Sequence, residues 1–271
     1  SICRRSHRPN PLTCSHTKMQ LPLTPSHEEI VTKFSLEILK SPGDLVLRNG
    51  DIAMTKSGDL MLNNEHYSAM RRFVSAWRFN APMLKSLFDL TMVVSSRSKD
   101  LKRSLDHGVD YRRDPSQKPF PPGSTAFERR FALNEEIAAN MLGSESCAGA
   151  ILLNLTSLLQ ALRDDINAPR LDWEGTTPLI HGHSVGVILV ASSNYFRHWD
   201  EWIKTSPPTT RQATSMDVLN AVLDSAGLKQ RNHRLMGVEG ICTKILDVLS
   251  DGDFERFSES CLLYTSPSPR D

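Results

Sequence analysis

Apolar residues recur along this chain at spacings that change several times, and each change predicts an element. Ser26 and Glu29 stand three apart ahead of Ile30, Val31, Phe34, Ile38 and Leu39. That is a capping box followed by a helical stripe, and Ser41-Pro42-Gly43 predicts its end. A short repeat follows: Gly43-Asp44-Leu45, Gly50-Asp51-Ile52 and Gly58-Asp59-Leu60. Asn49-Gly50 is the dipeptide that best tolerates the positive φ angles of a type I′ turn. The pattern therefore predicts a three-stranded meander over Leu45–Arg48, Asp51–Thr55 and Asp59–Leu62. The three aspartates fall at turn positions, where Asp bonds its own backbone, so turn chemistry accounts for them better than a cation site.

Two helices are predicted next. Tyr67, Met70, Phe73, Val74 and Trp77 form one stripe; Asn80 and Pro82 restart the chain, and Leu84, Leu87, Phe88 and Met92 form the second. Periodicity then fails. From Ser95 to about Pro122 Lys, Arg and Asp are interleaved, with Pro115, Pro119, Pro121 and Pro122 stiffening the later part. Residues 99–131 read as a linker between domains.

Helical spacing returns with Phe131, Ile137, Ala138 and Met141 as far as Gly143. Cys147–Leu162 is apolar around most of its circumference, which predicts a central helix. Asn167-Ala168-Pro169 and a loop containing Trp173, Gly175 and His181-Gly182-His183 precede a long helix over Val185–Trp202. Ser215 is the expected cap of another helix, closed by Gly227. Ile241, Ile245, Leu246 and Leu249 form the last, ended by Asp251-Gly252. The expected fold is mainly α. A small α+β unit with the meander (19–98) precedes an antiparallel helical bundle (132–260).

The two ends change how composition is read. Residues 261–271, CLLYTSPSPRD, resemble translated read-through of a transposase sequencing adapter. Residues 1–18 precede the first methionine, Met19, and read as an upstream extension or a disordered arm. The whole chain carries 32 Lys+Arg and 31 Asp+Glu, a formal charge of +1. Arg4, Arg5, Arg8, Lys18, Arg270 and Asp271 lie in the ends, so 19–260 has 27 cations, 30 acids and a charge of −3. A mildly acidic body offers no electrostatic footprint for DNA. Of five cysteines only Cys147 and Cys242 lie outside the ends. Two distant thiols make neither a disulfide framework nor a zinc site, and fit buried thiols in a reducing, cytoplasmic setting. The longest apolar stretch, Ala148–Leu162, is interrupted by Asn154, Thr156, Ser157 and Gln160 and reads as too short and polar for a membrane span.

The densest polar and aromatic run is Ser192 to Trp202. Asn194 and His198 are four apart on a helix, and Glu201 follows by three. A carboxylate beside an imidazole orients it and favours its charged form, which suits acid–base work; Arg197 is expected to reach Glu201 from the adjacent row. A structural histidine satisfied by its neighbours is the simpler reading of the same three residues. His181 and His183 are the weak metal candidates, and no cofactor is expected.

The Asn-x-x-x-His helix within 132–260 resembles the HEPN superfamily of helical domains, bacterial proteins often tied to defence, many of which cut RNA while others only bind. In nuclease members an arginine precedes the histidine by several residues. Ser193 stands at that position here, so the resemblance implies an interaction or defence-associated module without intact catalysis. RNA enters as a ligand through the resemblance alone, with an RNase using His198 as the catalytic alternative. Residues 43–78, the GDL/GDI meander and its Arg-rich helix, are similar to small baseplate-assembly proteins of contractile phage tails. That likeness implies a structural role, and either implies a protein partner or self-association.

Overall fold

The computed structural model describes residues 24–56, 58–64, 66–106, 125–169, 174–177, 179–204, 207–228 and 240–263. The arm 1–18, the proline-rich part of the expected linker, Trp173 and the tail beyond Leu263 lie outside them. Ser26 and Glu29 close the predicted box at the start of α1 (His27–Lys33): the Glu29 N–H donates to Ser26 Oγ at 3.1 Å, and the Ser26 N–H donates to the Glu29 carboxylate at 2.6 Å. The helix was expected to run on to Leu39 and does not. Ser35 adopts φ +51°, and the chain resumes as a 3₁₀ turn over Glu37–Leu39. A straight helix would turn Leu36 away from Ile30 and Phe34; the break buries it completely.

In the meander the regular sheet has two strands, β1 (Leu47–Arg48) and β2 (Asp51–Ile52), paired antiparallel around Asn49-Gly50. Both turn residues have positive φ, as a type I′ turn requires. The third predicted strand is not a ladder but two isolated bridges, Leu45 with Leu62 and Met54 with Leu60. Hydrogen bonds show why. The Val46 N–H donates to Met61 O, Ala53 N–H to Val46 O and Met61 N–H to Ala53 O, at 2.9, 2.9 and 2.8 Å. Each segment bonds both others, and Asn63 N–H to Asp44 O and Thr55 N–H to Asp59 O close the far side of each pairing, so each remains a single bridge. A second hairpin, β3 (Leu179–Ile180) and β4 (His183–Ser184), forms where a loop was expected. Its turn is His181-Gly182, again at positive φ.

The two helices predicted either side of Pro82 are one. Helix α2 (Tyr67–Asp106) has forty residues and carries Pro82 inside it. Pro82 cannot donate to the Arg78 carbonyl, a loss that costs about 3 kcal/mol in an isolated helix. Trp77, Leu84 and Phe88 on both sides are buried, and their common packing offsets that loss. Likewise α3 (Ala126–Asp165) runs forty residues straight through Gly143, from a capping box of Thr125 and Glu128. Residues 99–106 and 126–131 of the expected linker are therefore helical. Their mixed charges are used along and between helices, as in the Arg103–Asp100 and Arg97–Glu136 ion pairs. Arg72 to Asp165 at 3.0 Å and Asn154 Nδ2 to Asn80 Oδ1 at 3.3 Å, with Arg97–Glu136, set α2 and α3 antiparallel.

Four further helices complete the described chain: α4 (Val185–Lys204), α5 (Thr210–Ser225), α6 (Ile241–Ser250) and α7 (Phe254–Leu263). The cap of α5 is Thr209, boxed with Gln212; Ser215, the expected cap, is buried six residues further in. Gly227 ends α5 at φ +74°, with the Leu228 N–H donating to Leu223 O at 2.8 Å. Helix α7 was not expected at all. Phe254, Phe257, Ser258, Cys261 and Leu262 recur at helical spacing and are buried. Cys261–Leu263 form its last turn.

Most buried apolar side chains form a single cluster that runs from Ile30 to Leu262. Phe88 of α2 meets Phe254 and Phe257 of α7 at centroid distances of 5.6 and 6.3 Å. Lys33 of α1 pairs with Glu255. The expected division into 19–98 and 132–260 is thus not a division of the core. At its centre lies the predicted apolar segment of α3, with Ile151, Leu152, Leu155 and Leu159 buried. Glu128–Asp165 is long and apolar enough to cross a membrane by length and composition, where the shorter 148–162 stretch had seemed too polar. Much of that helix is packed inside the protein, as core helices are.

One contact sets the spacing of α3 and α4. A Cβ at Gly149 would lie 2.0 Å from the Phe196 ring, and even the ring's first carbon would be at 2.5 Å. Gly149→Ala gains about 1 kcal/mol of helix propensity and meets overpacking that costs up to about 3 kcal/mol. Net destabilisation of about 2 kcal/mol is expected in urea unfolding. Most of that loss should vanish when Gly149→Ala is made in a Phe196→Ala background.

Candidate functional site

The first half of α4 is core: Val185, Ile188, Leu189, Ala191 and Ser192 are buried. Its polar row emerges only from Asn194 onward. Asn194 Nδ2 donates to Ser215 Oγ on α5 at 3.4 Å, and Asn194 Oδ1 accepts from Arg197 at 3.1 Å. Arg197 Nε also donates to the Ser193 carbonyl at 3.3 Å. His198 Nδ1 lies 3.2 Å from Glu201 Oε2, and these side chains are 46% and 62% exposed. The row therefore resolves into two pairs. Asn194 with Arg197 belongs to the seam between α4 and α5, while His198 with Glu201 sits in water.

That division bears on the chemistry. Acid–base catalysis needs an imidazole aimed at a bound, partly dehydrated substrate. His198 has its carboxylate partner on its own helix, at an exposed position. Ser193, where the HEPN-like pattern would carry an arginine, is fully buried. A guanidinium there would enter the core rather than face a phosphate.

His181 and His183 flank the turn of the second hairpin. His181 occupies a positive-φ corner and is exposed; His183 pairs with Ile180 and is half-buried. Among the described residues no group of three His, Cys, Asp or Glu is placed to hold a metal ion. Ser184 ends β4, and its Oγ accepts from the Val187 N–H at 3.4 Å, so the hairpin leads directly into α4.

The most connected polar group was missed by the sequence reading. Helix α6 begins at Gly240, which has φ +75° and no side chain to cap it. Glu145 of α3 supplies the cap from across the core. Its carboxylate accepts from the Cys242 N–H at 2.8 Å, the Thr243 N–H at 3.0 Å and Thr243 Oγ1 at 3.2 Å. A negative charge at a helix N-terminus also opposes the partial positive charge there. Tyr195 of α4 lies close by; burial first, then the Glu145 charge, pushes its phenol well above the usual range. The same two causes raise the Cys242 thiol, which is therefore un-ionised and unreactive at neutral pH. Cys147, expected to be buried, is half-exposed. The signal available in sequence was a negative one: a helix opening on Gly-Ile with no capping residue.

The meander shows an unusual surface. Leu47 pairs with Ile52, Leu45 with Leu62 and Met54 with Leu60, so alternation puts all six side chains on one face. Five of them, Leu45, Leu47, Ile52, Met54 and Leu60, are 46–62% exposed. The opposite face holds buried Ala53 and half-buried Val46 and Met61. Asp59 of the last turn is tied to Arg72, which also holds Asp165, so this small unit is clamped onto α2 and α3. These five side chains form a contiguous exposed apolar face on a fixed unit.

Compared with known proteins, the chain matches no family model, no curated protein and no solved structure.

Glu145→Ala should leave three donors at the start of α6 without their acceptor. A loss of about 2–3 kcal/mol in chemical denaturation is expected, and Glu145→Gln, which keeps one oxygen acceptor but no charge, should lose less. Equal stability of Glu145→Ala and the parent would mean that the cap contributes nothing.

Proposed function

We propose that this protein is an interaction module, HEPN-like in its helical part and without catalysis of its own, which docks a protein partner through the apolar face of the meander. The observation that carries the reading is that face: Leu45, Leu47, Ile52, Met54 and Leu60, side by side and open to water on a unit pinned by Arg72. Buried Ser193 and solvent-facing His198 support the non-catalytic part. The body's acidity supports a protein rather than a nucleic-acid partner.

The second reading, a baseplate-type assembly protein, draws on the same face. There the three segments Leu45–Arg48, Asp51–Thr55 and Asp59–Leu62 would act as one small sheet that a neighbouring subunit covers. Both readings place the contact at the meander; they differ in whether the partner is a regulator or a repeated structural subunit.

Selection of displayed peptides on the intact protein should yield binders that compete with one another and lose binding on Leu47→Lys/Ile52→Lys. That variant should keep the parent melting temperature, because both side chains are exposed. Binders insensitive to it would remove the meander from the proposal. Purified protein should leave single-stranded RNA intact with or without added divalent cations. Cleavage abolished by His198→Ala at unchanged melting temperature would instead establish an RNase.

A further inference from the structure

The α2–α3 pair carries a second apolar surface, separate from the meander. Of the exposed large hydrophobic residues among those described, Phe79, Met83, Leu90, Val93, Phe131 and Leu142 all lie on these two helices. Their distribution is ordered. Phe79, Met83, Ser86, Leu90, Val93 and Arg97 of α2 follow one another at steps of four and three, the repeat that keeps a single straight seam along a helix. The buried stripe of α2, with Leu84 and Phe88, lies on a different side. This seam is therefore additional to the face that α2 gives to its own core.

Polar groups along the seam are already satisfied. The Ser86 hydroxyl donates to the Pro82 carbonyl at 2.9 Å, and Arg97 is paired with Glu136 of α3. The Arg78 guanidinium sits 5.3 Å from the Phe79 ring centroid. Covering the apolar part of the seam buries no unpaired charge, because Arg97 at its end is paired with Glu136 and its side chain is 65% exposed, with its other donors open to water. The outer half of the hairpin also lies beyond the common core. The fully buried members of that cluster end at Phe88 on α2, with Met92 packed against them, and begin at Ala148 on α3, while Leu133 and Ile137 are buried outside it.

We propose that a second copy of this chain covers the seam, the two α2–α3 hairpins packing against each other as a four-helix arrangement about a twofold axis. A regular four–three seam fits another helix of matching repeat, and the nearest supply is the same seam in a second molecule. If fully covered, the exposed parts of the seam residues and Leu142 come to roughly 500 Å² per copy, about 1,000 Å² for the pair, the size of a weak interface. The dimer is therefore of modest affinity and depends on concentration.

Sedimentation velocity of the full chain over a wide concentration range tests this. The parent should pass from monomer to dimer, and Leu90→Lys/Val93→Lys should raise the dissociation constant by roughly 100-fold or more at unchanged circular dichroism. The milder pair Leu90→Gln/Val93→Thr, which adds no charge, should weaken the dimer in the same direction. Leu47→Lys/Ile52→Lys should leave the dimer intact. A parent that stays monomeric would overturn the proposal, as would a dimer that survives both arm variants or dissolves in the meander variant.

Discussion

Two helices of forty residues each, lying antiparallel, carry the rest of this protein. A helix of that length spans about 60 Å, far more than one small core can cover. Its stability depends on tertiary contact along its length rather than on intrinsic propensity. Contact with α3 lets α2 keep Pro82 in its interior and lets α3 pass through Gly143 unbroken. α7 packs against the middle of α2 at Phe88, α1 beside it through Lys33–Glu255, and α4 and α6 onto the apolar face of α3. Where these neighbours stop, the hairpin continues alone.

Inside this frame, several buried hydroxyls are satisfied locally and Glu145 supplies the longest-range cap, while Asn154 Oδ1 and Ser193 Oγ are buried without a hydrogen-bond partner. Thr91, Ser192 and Ser258 turn their hydroxyls back to the carbonyl four residues earlier, and Thr156 does so while also reaching Leu189 O at 2.9 Å. These side chains are buried without needing partners elsewhere. Glu145 is the long reach, tying the start of α6 to the middle of α3. Such an interior is occupied by packing and capping. The surfaces with something left to offer are on the outside: an apolar sheet face at one place and an apolar helix seam at another.

Local signals were legible where the chemistry is local. Ser26–Glu29, Asn49-Gly50 and Gly227 act as their residue types require, because a capping box, a type I′ turn and a left-handed C′ position need only a few neighbours. The breaks at Asn80-Pro82 and Gly143 were misread for the opposite reason. Proline and glycine weaken a helix in isolation, and only packing partners distant in sequence can offset that. Of the weak metal candidates His181 and His183, the first sits with Gly182 in a turn, in which His tolerates positive φ better than most residues. Helix α7 went unseen although Phe254, Phe257, Ser258, Cys261 and Leu262 have the spacing. At the candidate site, sequence placed Asn194 and His198 on one helix correctly. It could not show that α5 approaches the first and leaves the second to solvent.

One core joins the start of the described chain to its end through α2 and α3. Differential scanning calorimetry of the intact protein measures this directly. One transition is expected, with calorimetric and van't Hoff enthalpies in agreement once the subunit stoichiometry is included. Two resolved transitions, with the region of α1 and the meander melting apart from α3 to α7, would contradict it.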